Sequence, residues 1–305
     1  MKEIYDLIII GAGPSGVSAA IYSNRSGLKT LVIEKNAIGG QVINAYEIEN
    51  YPGFPKVHGF DLALSFSEQL KYNEIKVEYD EVISVIKQED DIFKIITKSS
   101  REFYSKYVVL ALGSNPKKLG INKEDEFIGK GVSYCATCDG AFYRNKDVAV
   151  IGGGNSAITE AIYLSEITNK VYVIVRNKLR ADNVEISRMK NRKNIEVLEG
   201  FQIKELLGNE VLNGVLLTNN DGSMIRKLDV SGIFIYIGQL PPTKFLSNLN
   251  ILNKDGYIEV NEHYETKVKN LYAIGDVIPK HLRQIVNAVS DGALVIDNIK
   301  NINNF

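Results

Sequence analysis

The chain has 305 residues, of which 45% are hydrophobic and 24% charged, with a formal net charge of -1. That length exceeds the ~100–200 residues of a typical domain, so two domains are expected, each with apolar surface enough for its own core. The near-zero charge leaves no electrostatic footprint for nucleic acid or an anionic membrane, and no window reaches the ~18 consecutive apolar residues of a membrane span.

The first element is an apolar run, Ile4 to Ile10, interrupted by Asp6 and followed by a glycine-rich turn. It reads as a strand feeding a phosphate loop and not as a signal peptide, because no small-residue cleavage pattern follows; the expected location is cytoplasmic. From Asp6, DLIIIGAGPSGVSAAIY reads as strand, glycine turn and helix, with LKTLVIE (Leu28–Glu34) as a second strand. The design recurs from Asp147, DVAVIGGGNSAITEAIY followed by KVYVIV (Lys170–Val175), at a constant offset of 141 residues. Gly11, Gly13, Ser15, Ala20 and Tyr22 map onto Gly152, Gly154, Ser156, Ala161 and Tyr163. Each copy is the mononucleotide half of a Rossmann unit: Gly11 permits the tight turn, Gly13 lets backbone approach a pyrophosphate, and Gly16 allows close helix–strand packing. The helix N-terminus then offers unpaired N–H groups to the phosphates.

The ends of the two second strands differ. Glu34 lies 23 residues after Gly11, where a carboxylate accepts from a ribose hydroxyl of FAD or NAD. The same offset in the second copy lands on Val175, with Arg176, Lys178 and Arg180 beyond it. An acid repels a 2′-phosphate and a guanidinium pairs with one. The contrast favours FAD at the first site and NADPH at the second; the bland alternative is a solvated strand end.

The alternating charged run 76–99 reads as a β-meander of the first domain. Two more buried strands, within Tyr107–Pro116 and Leu271–Val277, end at Gly113 and at Gly275 and Asp276, at the carboxyl ends where open α/β sheets bind ligands. The Gly/Pro segments GSNPKK (113–118) and GQLPPT (238–243) read as paired linkers. The expected fold is α/β with two Rossmann-like dinucleotide-binding domains, the second inserted in the first: 1–114 with 243–305 around 115–242.

The two cysteines are Cys135 and Cys138, and the three histidines (His58, His263, His281) are scattered, so no four-ligand zinc set forms and no metal is expected. A lone C-x-x-C in a βαβ context reads as a redox couple, the alternative being a metal site shared between subunits. Ala136 and Thr137 suit a first helical turn, which would put Cys135 near a helix N-terminus and favour its thiolate. Asp139 can relay a proton for dithiol chemistry, or is simply a turn acid beside Gly140.

The segment CATCDGAFYRNKDVAVIGGGNSA (135–157) resembles the signature of low-molecular-weight, bacterial-type thioredoxin reductases among the pyridine nucleotide-disulfide oxidoreductases. Further matches follow in order along almost the whole chain: GAGPSG (11–16), GGQV (39–42), IENYPGFP (48–55), YIGQLPPT (236–243), YAIGDV (272–277), and RQ with an alanine-rich run (283–293). The C-x-x-C directly before a second glycine loop is specific; the separate glycine motifs are not. The resemblance implies FAD, NADPH, a thioredoxin or thioredoxin-like partner and a homodimer. For FAD it implies Gly11, Gly13, Pro14, Ser15 and Gly16, then Glu34 and Lys35, then the loop Gly39, Gly40, Gln41 with Asn50 and Gly113. Asp276 would contact the ribityl–phosphate region, with Arg283 and Gln284 near the isoalloxazine, and Gly275 and Ile285 would also belong to the FAD site. For NADPH it implies Gly152, Gly154, Asn155, Ser156, Arg176 and Arg180. Cys138 would face the flavin, Cys135 would exchange with the partner's disulfide, and Asp139 would be the general acid. The implied cycle runs from nicotinamide through FAD to the cysteine pair and on by thiol–disulfide exchange, with a hinge at the linkers alternating the two halves of the reaction.

Several positions depart from the family pattern. Its His-Arg-Arg with a further Arg is here VRNKLRA (175–181), one residue short, with Val175 and Asn177 in place of His and Arg. Thr159 stands where an acid is usual, and Leu112 and Pro242 where Thr and Asn are common. NADH and ferredoxin therefore stay open as donors beside NADPH. A ferredoxin–NADP reductase on the same scaffold would lack the cysteines. A non-enzymatic flavin redox sensor and a zinc-stabilised binding domain are the remaining rivals.

Overall fold

The computed structural model describes residues 3–45, 47–280 and 282–303, so His281 lies outside the described residues. The chain divides into two compact units, Met1–Asn115 with Leu240–Phe305, and Pro116–Gln239.

The first unit opens with β1 (Ile4–Ile10), α1 (Pro14–Arg25) and β2 (Thr30–Glu34), then a 3-10 turn over Gly40–Asn44, α2 (Gly59–Tyr72) and β3 (Lys76–Tyr79). β4 (Val82–Lys87), β5 (Phe93–Thr97) and β6 (Glu102–Leu110) follow. The sheet order is β3-β2-β1-β6-β5-β4. The 76–99 segment is thus not one meander. β3 returns after a helix and extends the parallel edge beside β2, while only β4 and β5 run antiparallel into β6. A helical crossover is what a parallel neighbour requires.

The continuous apolar runs are explained by burial on both faces. Along β1, Leu7 and Ile9 enter one core with Val32, Val109 and Tyr272, whereas Ile8 and Ile10 enter the other with Leu31, Ile33, Val108 and Leu110. The alternation of side chains across a strand therefore feeds two cores from one sequence of isoleucines.

After a short crossing strand, β7 (Asn115–Pro116), the second unit contains α3 (Glu124–Phe127), β8 (Val132–Ser133), α4 (Ala136–Asp139), β9 (Asp147–Ile151), α5 (Asn155–Ile167) and β10 (Lys170–Val175). It continues with α6 (Asn183–Lys190), β11 (Ile195–Glu199), β12 (Phe201–Gly208), β13 (Leu212–Asn219), β14 (Ile225–Leu228) and β15 (Gly232–Ile235). A parallel sheet, β11-β10-β9-β15-β8, carries a separate antiparallel meander, β12-β13-β14. Its two faces divide as in the first unit, with Val148, Val150, Val171 and Val173 on one side and Ala149, Ile151, Ile174 and Ile233 on the other. Entry and exit of this unit are adjacent, for the Lys117 N–H donates to the Gly238 carbonyl at 2.9 Å.

β16 (Gln239–Leu240) leads back to the first unit, which ends with β17 (Leu271–Ala273) and α7 (Ile285–Asn303). β17 pairs in parallel with the last residues of β6, Leu271 opposite Val108 and Ala273 opposite Leu110. α7 lies against α1 at backbone distance. A Cβ on Gly292 would sit 2.4 Å from the Ser15 carbonyl oxygen and 2.7 Å from the Ala19 nitrogen. Among the described residues no helix is long and apolar enough to cross a membrane, and no group of three or more His, Cys, Asp or Glu side chains is arranged to hold a metal.

The α1–α7 approach makes Gly292→Ala an overpacking change that neither backbone can yield to. It should destabilise the protein by about 1–3 kcal/mol in urea unfolding. An unchanged midpoint would mean the helices are free to separate.

Candidate functional site

In the first unit the chain leaves β1 through Gly11, whose φ of 105° a side-chain-bearing residue rarely adopts, and whose Cβ would lie 2.3 Å from the Ala111 carbonyl oxygen. Gly16 is closer still, its Cβ position being 1.9 Å from the Gly11 carbonyl oxygen. Gly13 is different: nothing in the protein lies within 4 Å of where its Cβ would point. Two glycines thus serve internal packing, and the third presents bare backbone outward. Pro14 starts α1, and no side chain caps its N-terminus.

Glu34 ends β2 buried, and its carboxylate is already oriented. Oε2 accepts the Ala12 N–H at 2.7 Å and Oε1 the Asn36 N–H at 2.8 Å. Each oxygen keeps a lone pair for a ribose hydroxyl. Lys35 is exposed beside it. The GGQ loop is tied to the glycine turn, with the Gly39 N–H donating to the Ala12 carbonyl at 2.8 Å and Gly40 facing the Gly13 Cα. The Gln41 amide donates to the Ser114 carbonyl and hydroxyl, just past the turn that Gly113 makes at φ 63°.

The returning chain completes this edge. Gly275 (φ 76°) packs against the Ser15 hydroxyl, and Asp276 follows, partly buried. Burial raises the Asp276 carboxyl above its usual range; Arg283 and Lys280 oppose the rise and Asp291 adds to it. Arg283 lies 4.8 Å over the Tyr257 ring and donates through Nη1 to the Lys280 carbonyl at 3.1 Å. Gln284 accepts from the Asn50 amide at 3.0 Å, and Ile285 begins α7. Two buried polar atoms here, Arg283 Nε and Asn287 Oδ1, have no hydrogen-bond partner among the described residues. Buried groups of this kind are normally satisfied. Bare backbone, a fixed carboxylate and two unsatisfied polar atoms along one sheet edge fit a bound dinucleotide.

The second glycine loop repeats the geometry with different surroundings. A Cβ on Gly152 would meet the Tyr236 carbonyl oxygen at 2.3 Å, while Gly154 again faces open space and α5 has no side-chain cap. Asn155 and Asp182 hold each other: the Asn155 amide donates to Oδ2 of Asp182 at 2.8 Å, and the Asp182 N–H to the Asn155 oxygen at 2.7 Å. Ser156 is exposed in the first turn. The 175–181 loop folds onto this turn, with the Arg180 N–H on the Gly153 carbonyl at 2.6 Å. Val175 is buried, whereas Arg176, Lys178 and Arg180 are exposed at the end of β10.

In the same unit Cys135 and Cys138 form a disulfide with Cα atoms 5.4 Å apart. Cys135 is the N-cap of α4, extended at φ -142°, and the Cys138 N–H donates to its sulfur at 3.2 Å. Its own N–H donates to the Ser133 hydroxyl at 3.0 Å, and that hydroxyl donates back to the Cys135 carbonyl at 3.1 Å. Cys138 is the more exposed of the two, and Asp139, half-buried, closes the turn by donating its N–H to the Cys135 carbonyl at 3.2 Å.

Two residues beneath this turn escaped the sequence reading. The Tyr236 hydroxyl accepts the Ala136 N–H at 2.8 Å, anchoring the residue between the capping cysteine and the rest of α4. Burial, with the charge of Glu160 adding, pushes its phenol up. Glu160, on the inner face of α5, is 7% exposed, and its Oε2 has no hydrogen-bond partner among the described residues. Burial alone raises it from 4.5 to about 8. A lone acid between Thr159 and Ala161 offers no sequence signal of burial, because its environment is set by strands far away in the chain. Ser114, Asn287, Lys280 and Asp291 were likewise missed.

The pyridine nucleotide-disulphide oxidoreductase family model matches residues 5–292. Among curated proteins, the thioredoxin reductase of Bacillus subtilis (strain 168) is 39% identical over 301 residues, covering 98% of this chain and 95% of that protein. That of Mycoplasmopsis pulmonis (strain UAB CTIP) is 42% identical over 295 residues, covering 96% and 95%. Among solved structures, the Lactococcus lactis thioredoxin reductase aligns with a TM-score of 0.95 at 38% identity, covering 99% of this chain and 100% of that one. The T. acidophilum thioredoxin reductase gives 0.94 at 34% identity, covering both chains fully at 100%. None of these four is named for ferredoxin, and that expectation gains no support from them.

Glu160 generates a pH prediction. The unfolded chain ionises it near 4.5 and the folded chain near 8, so between those values the folded state holds the extra proton. Stability should therefore fall as pH rises through this window, by up to about 1.4 kcal/mol per pH unit from this residue. Glu160→Gln should flatten that slope in urea titrations and be the more stable form at the alkaline end. A slope equal to the parent's would rule this acid out as its source.

Proposed function

The chain belongs to the pyridine nucleotide-disulphide oxidoreductase family, and from that premise we propose that it is a flavin-dependent thioredoxin reductase that takes electrons from NADPH and delivers them to thioredoxin or a thioredoxin-like protein. The observation that carries this reading is the Cys135–Cys138 disulfide, held across its own helical turn directly before a second dinucleotide loop.

We assign FAD to the first unit. When bound, FAD accepts hydride from a nicotinamide and supplies an electron pair to a disulfide. The chain's own part is to hold it. The N–H groups after Gly13 and the positive end of α1 suit the pyrophosphate, Glu34 the adenosine ribose, and Asp276 the ribityl–phosphate region. Arg283 Nε and Asn287 Oδ1 supply a donor and an acceptor to the same ligand. The Gly152–Ser156 turn suits the pyrophosphate of the donor, with Arg176 and Arg180 on its 2′-phosphate.

Reduction of the Cys135–Cys138 bond takes two electrons and leaves two sulfurs to protonate. On Cys135 the negative charge is favoured, since the Cys138 N–H already points at that sulfur and the helix start is positive. A Cys135 thiolate attacks the partner's disulfide and forms a mixed disulfide; Cys138 then displaces the partner as a dithiol and restores the original bond. Asp139, at the end of the same turn, is assigned the proton that the departing sulfur takes up. Homodimerisation, implied by the family resemblance, belongs to this reading.

Anaerobic mixing of the flavin-loaded protein with NADPH, NADH and reduced ferredoxin in turn tests the donor, and bleaching of the flavin band by NADPH is expected. Arg176→Ala should raise the KM for NADPH about tenfold while leaving that for NADH unchanged, as expected for one charge-assisted hydrogen bond. Bleaching by ferredoxin but by neither nicotinamide would sink the NADPH assignment. Cys138→Ser should keep flavin yet lose at least about 10³ in thioredoxin turnover; full turnover would overturn the electron path.

A further inference from the structure

A buried charge pair holds together three pieces of the first unit, and none of the roles above uses it. Asp291, on α7, is 4% exposed. Its Oδ2 accepts the Gly275 N–H at 2.9 Å and the Lys280 ammonium, and its Oδ1 accepts the Tyr264 hydroxyl at 3.1 Å. Lys280 is itself largely buried, at 16% side-chain exposure. An ionised carboxylate this deep is tolerable only with its donors in place, and three are supplied.

What these contacts fix is the geometry of the candidate dinucleotide edge. Gly275 opens the turn that presents Asp276, and its Cβ position lies 2.6 Å from the Ser15 hydroxyl in the first turn of α1. Lys280 carries the carbonyl on which Arg283 Nη1 rests. Gly292, the residue after Asp291, lets α7 meet the Ser15 carbonyl and the Ala19 nitrogen, and the Ser18 hydroxyl donates to the Val289 carbonyl at 2.7 Å. The phosphate turn, the Gly275–Asp276 turn and, through Lys280, the Arg283 guanidinium are thus referred to one carboxylate.

We propose that Asp291, paired with Lys280, is the positioning residue of the flavin site: it locks the Gly275–Asp276 turn against α1, anchors Lys280, on whose carbonyl Arg283 rests, and balances the ammonium that acts on Asp276. The proposal rests on the assignment of FAD to this unit. An apolar pair of equal volume would fill the space, but it would neither hold the Gly275 N–H nor set the charge around Asp276. The groups acting on Asp276 are Arg283 and Lys280, which favour its ionised form, and Asp291, which opposes it. Tyr264 is the remaining titratable group on Asp291. Removing the carboxylate charge and removing the ammonium must therefore move the Asp276 titration in opposite directions. A packing defect would have no reason to do so.

The test is FAD binding to the apo-protein, followed by flavin fluorescence from about pH 5 to 9, for the parent, Asp291→Asn, Lys280→Met and the double variant, with thermal unfolding of each apo form alongside. Asp291→Asn should raise the FAD dissociation constant at least about tenfold, and the double variant should recover part of that loss because the lone ammonium is gone. The pH midpoint of binding should move down in Asp291→Asn and up in Lys280→Met. Should Asp291→Asn not fold, an upward midpoint in Lys280→Met still supports the proposal. Parent-like binding and midpoints in both single variants, or midpoints moving the same way, would overturn it alone. A parent protein that takes up no FAD would instead overturn the flavin assignment, and this proposal with it.

Discussion

At Gly11, and again at Gly152, the chain turns out of a buried strand with a neighbouring backbone carbonyl oxygen 2.3 Å from where a side chain would start. In both cases the carbonyl belongs to the residue just beyond the adjacent parallel strand, Ala111 after β6 and Tyr236 after β15. That contact sets how closely the turn can approach the adjacent strand. It also leaves the next outward-facing glycine, Gly13 or Gly154, as uncovered backbone at a positive helix end. Polar groups of both candidate nucleotide edges are tied to these turns, Glu34 through the Ala12 N–H in one unit and Arg180 through the Gly153 carbonyl in the other.

Much of this was legible in the sequence, for a physical reason. Repeated glycine spacing, unbroken apolar runs and a paired C-x-x-C are local patterns, and local patterns dictate strand, turn and helix before tertiary contacts form. The parallel sheets, the resemblance to thioredoxin reductases and the position of Cys135 at a helix start all follow from such stretches. The 76–99 segment was read less well. Its alternation gave strands correctly, but nothing local says that β3 pairs in parallel across α2 while β4 and β5 fold back antiparallel. Tyr236, Lys280 and Asp291 were illegible because each acquires its role from a residue distant in the chain, and Glu160 and Asn287 because tertiary packing alone buries them. Asp291 holds Gly275, 16 residues earlier, and Tyr236 holds Ala136, 100 residues earlier.

The loop after β10 has a structural logic of its own. Val175 faces inward, where its Cγ1 lies 2.7 Å from the Cβ position of Gly153, and the Arg180 N–H closes onto the same glycine's carbonyl. The loop is thus drawn tightly over the turn, with its cations left outside and the Asn155–Asp182 pair fastening its far end.

The pairing of β17 with β6 has a consequence for synthesis. Leu271 reaches Val108 only after the whole of 116–239 has been made. A chain emerging from the ribosome thus completes the intervening body while its host still lacks a strand and a closing helix. The host sheet is a split assembly with high contact order, and its early half exposes an unpaired upper edge of β6 throughout that interval. The later-emerging body, contiguous in sequence, has no such debt. Truncation between residues 240 and 270 should leave a complete passenger tethered to an unfinished carrier.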